Sequence, residues 1–392
     1  MISKGLLALA CGTFALGIAE FSMMGILSTL AHDLHVTIPQ AGDFISAYAL
    51  GVSVGAPLPL FFRKYPLTRI LLGLCCLIVL GNGLAALSGG YAGLLCARFL
   101  SGLPHGAYFG VAAIVAVGLV EPGRRATAVA IMVAGMTVAN VLGVPAVTWL
   151  TYRISWRLTF LLAALWGGIA FAGILCCVPA LPAPKKQSIR RQFHFLKGPA
   201  PWLIFFATFL GQGSVYCWYS YMEPMLLEIT RIPAPQMKWI MTLAGLGMFC
   251  GGLLCGRLAD RFRPALVSAW TALAIVPILL GIYSLGAHAV VAVPLVFLGA
   301  AALFGLGGPM QYLIVRYSRG GEILGGAGIQ IAFNMSNACS AFLGGLAIRH
   351  GLGLASPALL GIPMALACAG LLLWFQRRYA VADGAGRQNG CR

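Results

Sequence analysis

Acidic side chains are scarce: there are nine Asp and Glu in 392 residues, and charged residues of both signs make up only 9% of the chain. A soluble domain carries ~25% charged residues, so a soluble enzyme, a disordered tail protein and a single-anchor receptor with a folded ectodomain are all excluded. Paired cysteine motifs are missing as well. The 12 cysteines include no CxxC and no metal-ligand spacing, and most, among them Cys75, Cys76, Cys176, Cys177 and Cys250, sit in apolar runs. They are expected to be small buried membrane residues, not disulfide or metal partners. Nor is there a phosphate-cradling loop followed by Lys-Ser/Thr or a nucleophile–base pair, so ATP drive, enzyme activity, a cofactor and a metal are not expected. What is abundant is apolar surface, with 60% hydrophobic residues and a mean hydropathy of +0.91. Twelve spans of ~20 residues would use ~240 residues, close to the whole apolar content. The 51 glycines suit helices that must approach closely in lipid.

The apolar runs place spans at 5–30, 40–62, 69–88, 91–117, 126–150, 156–178, 201–226, 236–258, 264–286, 289–314, 323–348 and 356–376. A lysine before an apolar run resembles a secretory signal, and Leu9-Ala10-Cys11 resembles a lipoprotein cleavage site. The run from Gly5 to Ala31 is long enough to span, however, and predicts a retained first helix. The net charge of +17 is a topology signal. With a cytoplasmic N-terminus, 20 of the 26 basic residues fall on the cytoplasmic side, five outside (Arg153, Arg157, Arg231, Lys238 and Arg349) and Arg98 within a span. That bias never reverses along the chain, as a missed helix would require, and it follows the positive-inside rule. Nucleic-acid binding is therefore not expected.

The polar, proline-rich stretch near the middle reads as a linker. It divides the chain into an N-terminal six-helix bundle (1–178), a cytoplasmic linker (179–200), a C-terminal six-helix bundle (201–380) and a cytoplasmic tail (381–392). Arg63 and Asp260, Gly123 and Gly320, and Asn140 and Asn337 are each 197 residues apart, half the chain length. Six helices per half keep the two copies in one orientation, a parallel repeat. The fold class expected is an all-α membrane protein of 12 transmembrane helices in two pseudo-symmetric bundles, with both termini cytoplasmic.

Several motifs then resemble the major facilitator superfamily. Gly252-x-x-x-Gly256-x-x-x-Asp260-Arg261-Phe262 is similar to its loop signature between the second and third helices of a half; the first half has Gly51, Gly55 and Arg63-Lys64-Tyr65, with arginine where an acid is usual. Arg98-Phe99-Leu100-Ser101-Gly102 resembles the fourth-helix motif of drug:proton antiporters, and Trp156-Arg157-Leu158-Thr159-Phe160 is also similar to that group. The fifth span has Gly135, Ala139, Gly143 and Pro145 but lacks the usual Gly-Pro pair. The arabinose-efflux-like, AraJ-type permeases are resembled by 17–21 (Gly-Ile-Ala-Glu-Phe), 101–107 (Ser-Gly-Leu-Pro-His-Gly-Ala), 192–196 (Gln-Phe-His-Phe-Leu), 199–205 (Pro-Ala-Pro-Trp-Leu-Ile-Phe) and 328–334 (Gly-Ile-Gln-Ile-Ala-Phe-Asn). The resemblance implies a carrier that rocks two bundles about a central cavity lined by spans one and four. It also implies a latch of Lys64 and Arg69 against Asp260 and Arg261 that holds the outward-facing state.

Charge at membrane depth is costly and usually functional. Glu20 lies about 22 Å from the cytoplasmic end of its span and Arg98 about 10 Å from the outer face, counted at ~1.5 Å per residue. Both reach the outer third, so an interaction is geometrically possible. Low dielectric favours a protonated Glu20 and a nearby Arg98 favours the anion, a balance that alternating exposure would change; a fixed ion pair tying helices together is the other reading. His105, seven residues after Arg98 on the same face, is a candidate proton relay or substrate contact, or else a neutral histidine bonded to a neighbouring helix. Glu20, His105, Asn140, Gln212, Tyr216 and Asn334 are the candidate substrate contacts, and Glu20, Arg98 and His105 the proton-coupling set. For Asn140, Gln330, Asn334 and Asn337 interhelical hydrogen bonding is the alternative. Tyr221 is expected in an aromatic belt, and Asp43 as an interfacial carboxylate.

Proton-coupled export of a sugar or an amphipathic drug across the bacterial inner membrane, by a monomer, is the expected function. Uptake by symport and uniport or exchange stay open, and a channel or a membrane-embedded enzyme are the rivals from other classes.

Overall fold

Lipid offers no hydrogen bonds to a backbone, so an apolar run of ~20 residues must satisfy its own N–H and C=O groups as a helix. The computed structural model describes residues 3–62, 64–181, 193–318 and 321–380, and among these there is no strand. Twelve long helices follow one another: α1 (Lys4–Phe21), α2 (Ile38–Gly55), α3 (Leu67–Leu87), α4 (Tyr91–Gly118), α5 (Arg125–Val138) and α6 (Arg157–Cys177). The second half has α7 (Pro199–Tyr219), α8 (Met237–Arg261), α9 (Pro264–Leu285), α10 (Ala289–Tyr317), α11 (Glu322–Arg349) and α12 (Ser356–Phe375). The repeat holds in the helices themselves, since α3 and α9 start 197 residues apart, as do α5 and α11. Arg63, Gly320, the tail and residues 182–192 of the expected linker lie outside the described residues.

Among the described residues eleven helical stretches are long and apolar enough to cross a membrane. The exception is α7, where the seventh span was expected. Its 21 residues are sufficient in length, but Thr208, Gln212, Ser214 and Tyr216 dilute its hydropathy, and every residue from Gly211 to Tyr219 is buried in protein. A helix enclosed by other helices does not need lipid-compatible side chains on every face.

Four spans expected to be continuous are broken: α2 turns at Ala56 and Pro57 and resumes as Leu58–Phe61, and the other three are α1, α5 and α7. α1 passes into a 3₁₀ turn, Ser22–Gly25, and resumes as Leu27–Asp33. α5 widens into a π turn, Ala139–Gly143, before continuing as Val144–Arg153; the turn precedes Pro145, whose missing N–H cannot serve a regular ladder. α7 stops at Ser220 and Tyr221 and resumes as Met222–Glu228. The breaks in α1 and α7 fall at matching places in the two repeats.

Odd-numbered helices run from the face that carries the termini to the opposite face, and the packing differs between those faces. At the terminal face each half has its own apolar core: Leu9, Leu71, Val111 and Ile174 in the first, Ile204, Ala269, Leu313 and Leu372 in the second. Toward the opposite face one cluster runs through both halves, joining Met24, Phe44 and Val144 to Met222, Met241 and Leu303. The seam between the halves is closed there. α2 packs on α11, and α8 packs on the π turn and on Val144–Arg153. Gly245 allows that approach, because a Cβ on it would sit 2.2 Å from the Asn140 carbonyl oxygen. Tyr221 corrects the expectation of an aromatic belt: it is buried in the seam against Gly42 and Gly345, and its hydroxyl donates to the Ala341 carbonyl at 2.7 Å. The cysteines also divide, with Cys75 buried but Cys76, Cys176, Cys177 and Cys250 on the outer surface of the bundle. Neighbouring helical positions point ~100° apart, so Cys75 and Cys76 cannot both face inward.

Candidate functional site

Two glycines assemble the site. A Cβ on Gly51 would lie 2.1 Å from the Phe99 carbonyl oxygen and one on Gly102 would lie 2.2 Å from the Tyr48 carbonyl oxygen, so α2 and α4 touch backbone to backbone. This contact brings Tyr48 of α2 against Arg98 and His105 of α4, whose seven-residue spacing stacks them two turns apart on one face. The Tyr48 hydroxyl is 2.8 Å from His105 Nδ1. His105 Nε2 is 3.7 Å from Glu20 Oε2. Phe109 stacks on the imidazole, with centroids 5.3 Å apart. Tyr48, His105 and Glu20 thus form a continuous buried series.

Arg98 and Glu20 do not meet within ion-pair distance. The Arg98 guanidinium, 1% exposed, donates from Nη1 to the Ala19 carbonyl at 2.8 Å and from Nε to the Phe44 carbonyl at 3.4 Å. It also lies over the Tyr48 ring at 4.3 Å and the Phe160 ring at 5.4 Å. The break after Phe21 accounts for this arrangement: Ala19 is in the last turn of α1, where carbonyls lose their intrahelical donors and the helix end carries partial negative charge. A cation beside a helix C-terminus satisfies both. Glu20 is in the same last turn, one residue before Phe21, whose ring reaches Phe304 of the other half with centroids 5.7 Å apart.

The other candidates are distributed differently. Asn140 is buried with neither amide atom bonded, and its repeat mate Asn337 is in the same condition. Gln212 donates to the Leu303 carbonyl at 3.0 Å, and Asn334 donates to Gln330 of its own helix at 3.0 Å. Tyr216 is buried in the shared cluster. Lys64, Arg69, Asp260 and Arg261 are exposed, and no ion pair within 4 Å joins them among the described residues. Asp43 accepts from the Tyr91 hydroxyl at 2.7 Å.

Sequence reasoning misses Tyr48, because a tyrosine among small residues carries no charge signal. It misses Glu223 too, although the rule that flags Glu20 applies equally to the only carboxylate in 201–226. Glu223 is fully buried on the helix Met222–Glu228. At the opposite face, Asp33 accepts from Trp156 Nε1 at 2.5 Å and pairs with Arg157 at 3.1 Å. The Trp156 N–H, then Arg157, hold the Asp33 carboxyl below its usual range.

A sequence profile of the Major Facilitator Superfamily matches residues 9–325. The chain belongs to the major facilitator superfamily. Relatives agree: it is 44% identical over 97% of its length to the putative transporter AraJ of Escherichia coli K12, covering 98% of that protein. It is 36% identical to the inner membrane transport protein YdhP of the same strain, over 90% of each chain. Among solved structures, that of a point mutant of the nucleoside transporter NupG superposes with a TM-score of 0.76 at 12% identity, over 95% of this chain and 98% of that one. As a superfamily member the protein is a multi-pass secondary transporter of small molecules, not an enzyme.

Proposed function

We propose that this transporter couples proton entry to export of a small molecule across the bacterial inner membrane, with Glu20 as the proton carrier. The observation that carries the reading is the buried series Glu20, His105 and Tyr48. Each step joins a group able to give or take a proton to the next, and Glu20 belongs to the half that must move against its partner. Arg98 fixes the end of α1 through the Ala19 carbonyl, so the carboxylate keeps its position while its surroundings change. In the arrangement seen here the opposite face is closed. Opening that face would let Glu20 take up a proton from outside; reopening the terminal face would release it inside, with substrate in the cavity at another stage of the cycle. The basic bias toward the terminal face supports a cytoplasmic location for both termini, and the likeness to YdhP, an inner membrane transport protein, supports the inner membrane.

A sugar or an amphipathic drug fits the uncharged polar and aromatic side chains offered by Gln212, Tyr216 and Asn334. Asn140 and Asn337 add amides that have no partner of their own. His105 would contact substrate or relay the proton. Lys64 and Arg69 would meet Asp260 and Arg261 once the terminal face closes, and their separation here is in keeping with that face being parted. One chain supplies both halves of the cavity, so a monomer suffices.

The test is proton flux in energised inside-out vesicles, screening sugars and cationic drugs against wild type and Glu20→Gln. A compound that collapses the pH gradient with wild type alone identifies a substrate and supports antiport through Glu20. Counterflow of a labelled solute without any proton movement would instead establish a uniporter or exchanger.

A further inference from the structure

Among the described residues Glu20 and Glu223 are the two buried carboxylates, and all of the hydrogen bonds of Glu223 come from the other half. It accepts from the Ser28 amide at 2.9 Å, from the Ser28 hydroxyl at 2.7 Å and from the Tyr152 hydroxyl at 2.5 Å. No cation lies within ion-pair distance of it among the described residues. Ser28 belongs to the helix Leu27–Asp33 beyond the break in α1, and Tyr152 to Val144–Arg153 beyond the π turn of α5. All three residues are at the far ends of odd-numbered helices, so the contact is at the face opposite the termini and about two turns beyond Glu20.

We propose that Glu223 is a clasp across the seam that sets the balance between the two arrangements of the carrier, a positioning role separate from the proton-carrying role given to Glu20. The proposal rests on the alternating-access reading above. A carboxylate taken out of water is stabilised only by groups that replace its hydration. Here three donors do so, and they leave together when the halves part, because none belongs to the half that carries Glu223. The stabilisation therefore exists in one arrangement and is replaced by bulk water in the other. A contact present in only one of two states shifts the equilibrium between them by its full differential strength. The breaks in α1, α5 and α7 acquire a purpose from this geometry: each presents one member of the clasp on a short segment past a non-α turn, able to swing without unwinding the helix that precedes it.

The experiment is hydrogen–deuterium exchange of the purified, lipid-reconstituted full-length protein, comparing wild type with Glu223→Gln, Tyr152→Phe and the double variant. The expected result is reciprocal. Amides of 22–33 and 144–153 exchange about tenfold faster in Glu223→Gln, while amides at the terminal ends of α5 and α8 become more protected. Tyr152→Phe moves both sets the same way by less, and the double variant shows less than the product of the two effects, because both cut one contact. Faster exchange at both faces together, or no change, overturns the clasp. If Glu223→Gln does not fold, Tyr152→Phe reads the same quantity with a smaller perturbation. Gly245→Ala is the control for the underlying reading, since it wedges the same seam without touching Glu223. A reciprocal shift in that variant with silence in Glu223→Gln removes the clasp alone, whereas no reciprocal shift in any variant removes alternating access itself.

Discussion

Where the first half carries Glu20, Tyr48, Arg98 and His105, the second half, 197 residues on, carries Cys217, Gly245, Leu295 and Ala302. The backbones correspond, down to the break that follows Glu20 and the one that follows Tyr219, yet one copy concentrates ionisable side chains and the other has only a thiol at those positions. The difference shows that the repeat conserves architecture while chemistry is assigned to one copy. It also shows what the second copy gains. Gly245 stands where Tyr48 does, and the space its missing side chain leaves is filled by the Asn140 backbone of the first half. One copy uses the position for a proton relay, in the reading proposed above, and the other uses it for the moving seam.

Substitutions at equivalent positions of the two halves test this asymmetry. Arg98→Ala strands the Ala19 and Phe44 carbonyls and removes a buried cation, so transport should fall about a hundredfold and stability by about 3 kcal/mol. Leu295→Ala, at the matching place in a half-buried setting, should cost roughly 1–2 kcal/mol and leave the transport rate within about twofold. Vesicle uptake and thermal unfolding of the two variants side by side decide the matter, and equal losses of transport would erase the asymmetry. The glycines give the next largest contrast. Gly102→Ala forces α2 and α4 apart within one bundle and should lower stability by about 2–3 kcal/mol. Gly245→Ala strains a contact that the proposed cycle opens, so its unfolding temperature should move less while its transport slows. Tyr48→Phe removes the partner of His105 Nδ1 at a cost of ~1 kcal/mol and should shift the pH profile of transport. Cys217→Ala, at the repeat mate of Glu20, should leave that profile in place.

The smallest effect concerns Asp33 at the opposite face. Its folded-state acidity is strengthened by Trp156 and Arg157, so its contribution is present above the ordinary carboxylate range and is lost as pH falls through the lower folded-state value. Asp33 is largely solvated and the pair is screened, which limits the contribution to about 0.5 kcal/mol. Asp33→Asn should therefore melt slightly below wild type at neutral pH, and the gap should close in acid. A gap that grew on acidification would contradict the assignment.

Much of this is readable in the residues. Span count, the half-length repeat and the grouping of Glu20, Arg98 and His105 all follow from long-range periodicity and the cost of charge in lipid, which act wherever the chain folds. The direct partners are not readable. Arg98 chooses carbonyls over Glu20 because α1 ends two residues past Ala19, and a helix end inside an apolar run leaves no compositional trace. Tyr221 reads as a belt residue because aromatic character is the same at a lipid interface and in a seam; only Gly42 and Gly345, from opposite halves, distinguish them. Glu223 depends on donors more than 70 residues away in sequence, Tyr152 among them.

The apolar cluster that runs through both halves at one face, against two separate cores at the other, sets an energetic condition on the cycle. Two halves glued along a hydrophobic patch and joined by one covalent tether behave as a dimer held at a local concentration on the order of millimolar. A membrane potential of ~100 mV returns only about 2.3 kcal/mol for each unit charge that crosses. If a proton drives the turnover, patch and clasp together can favour the closed face over its alternative by little more than that, or the molecule would stop in one posture. The terminal face must then hold a matching set of contacts, unmade here, of nearly equal strength.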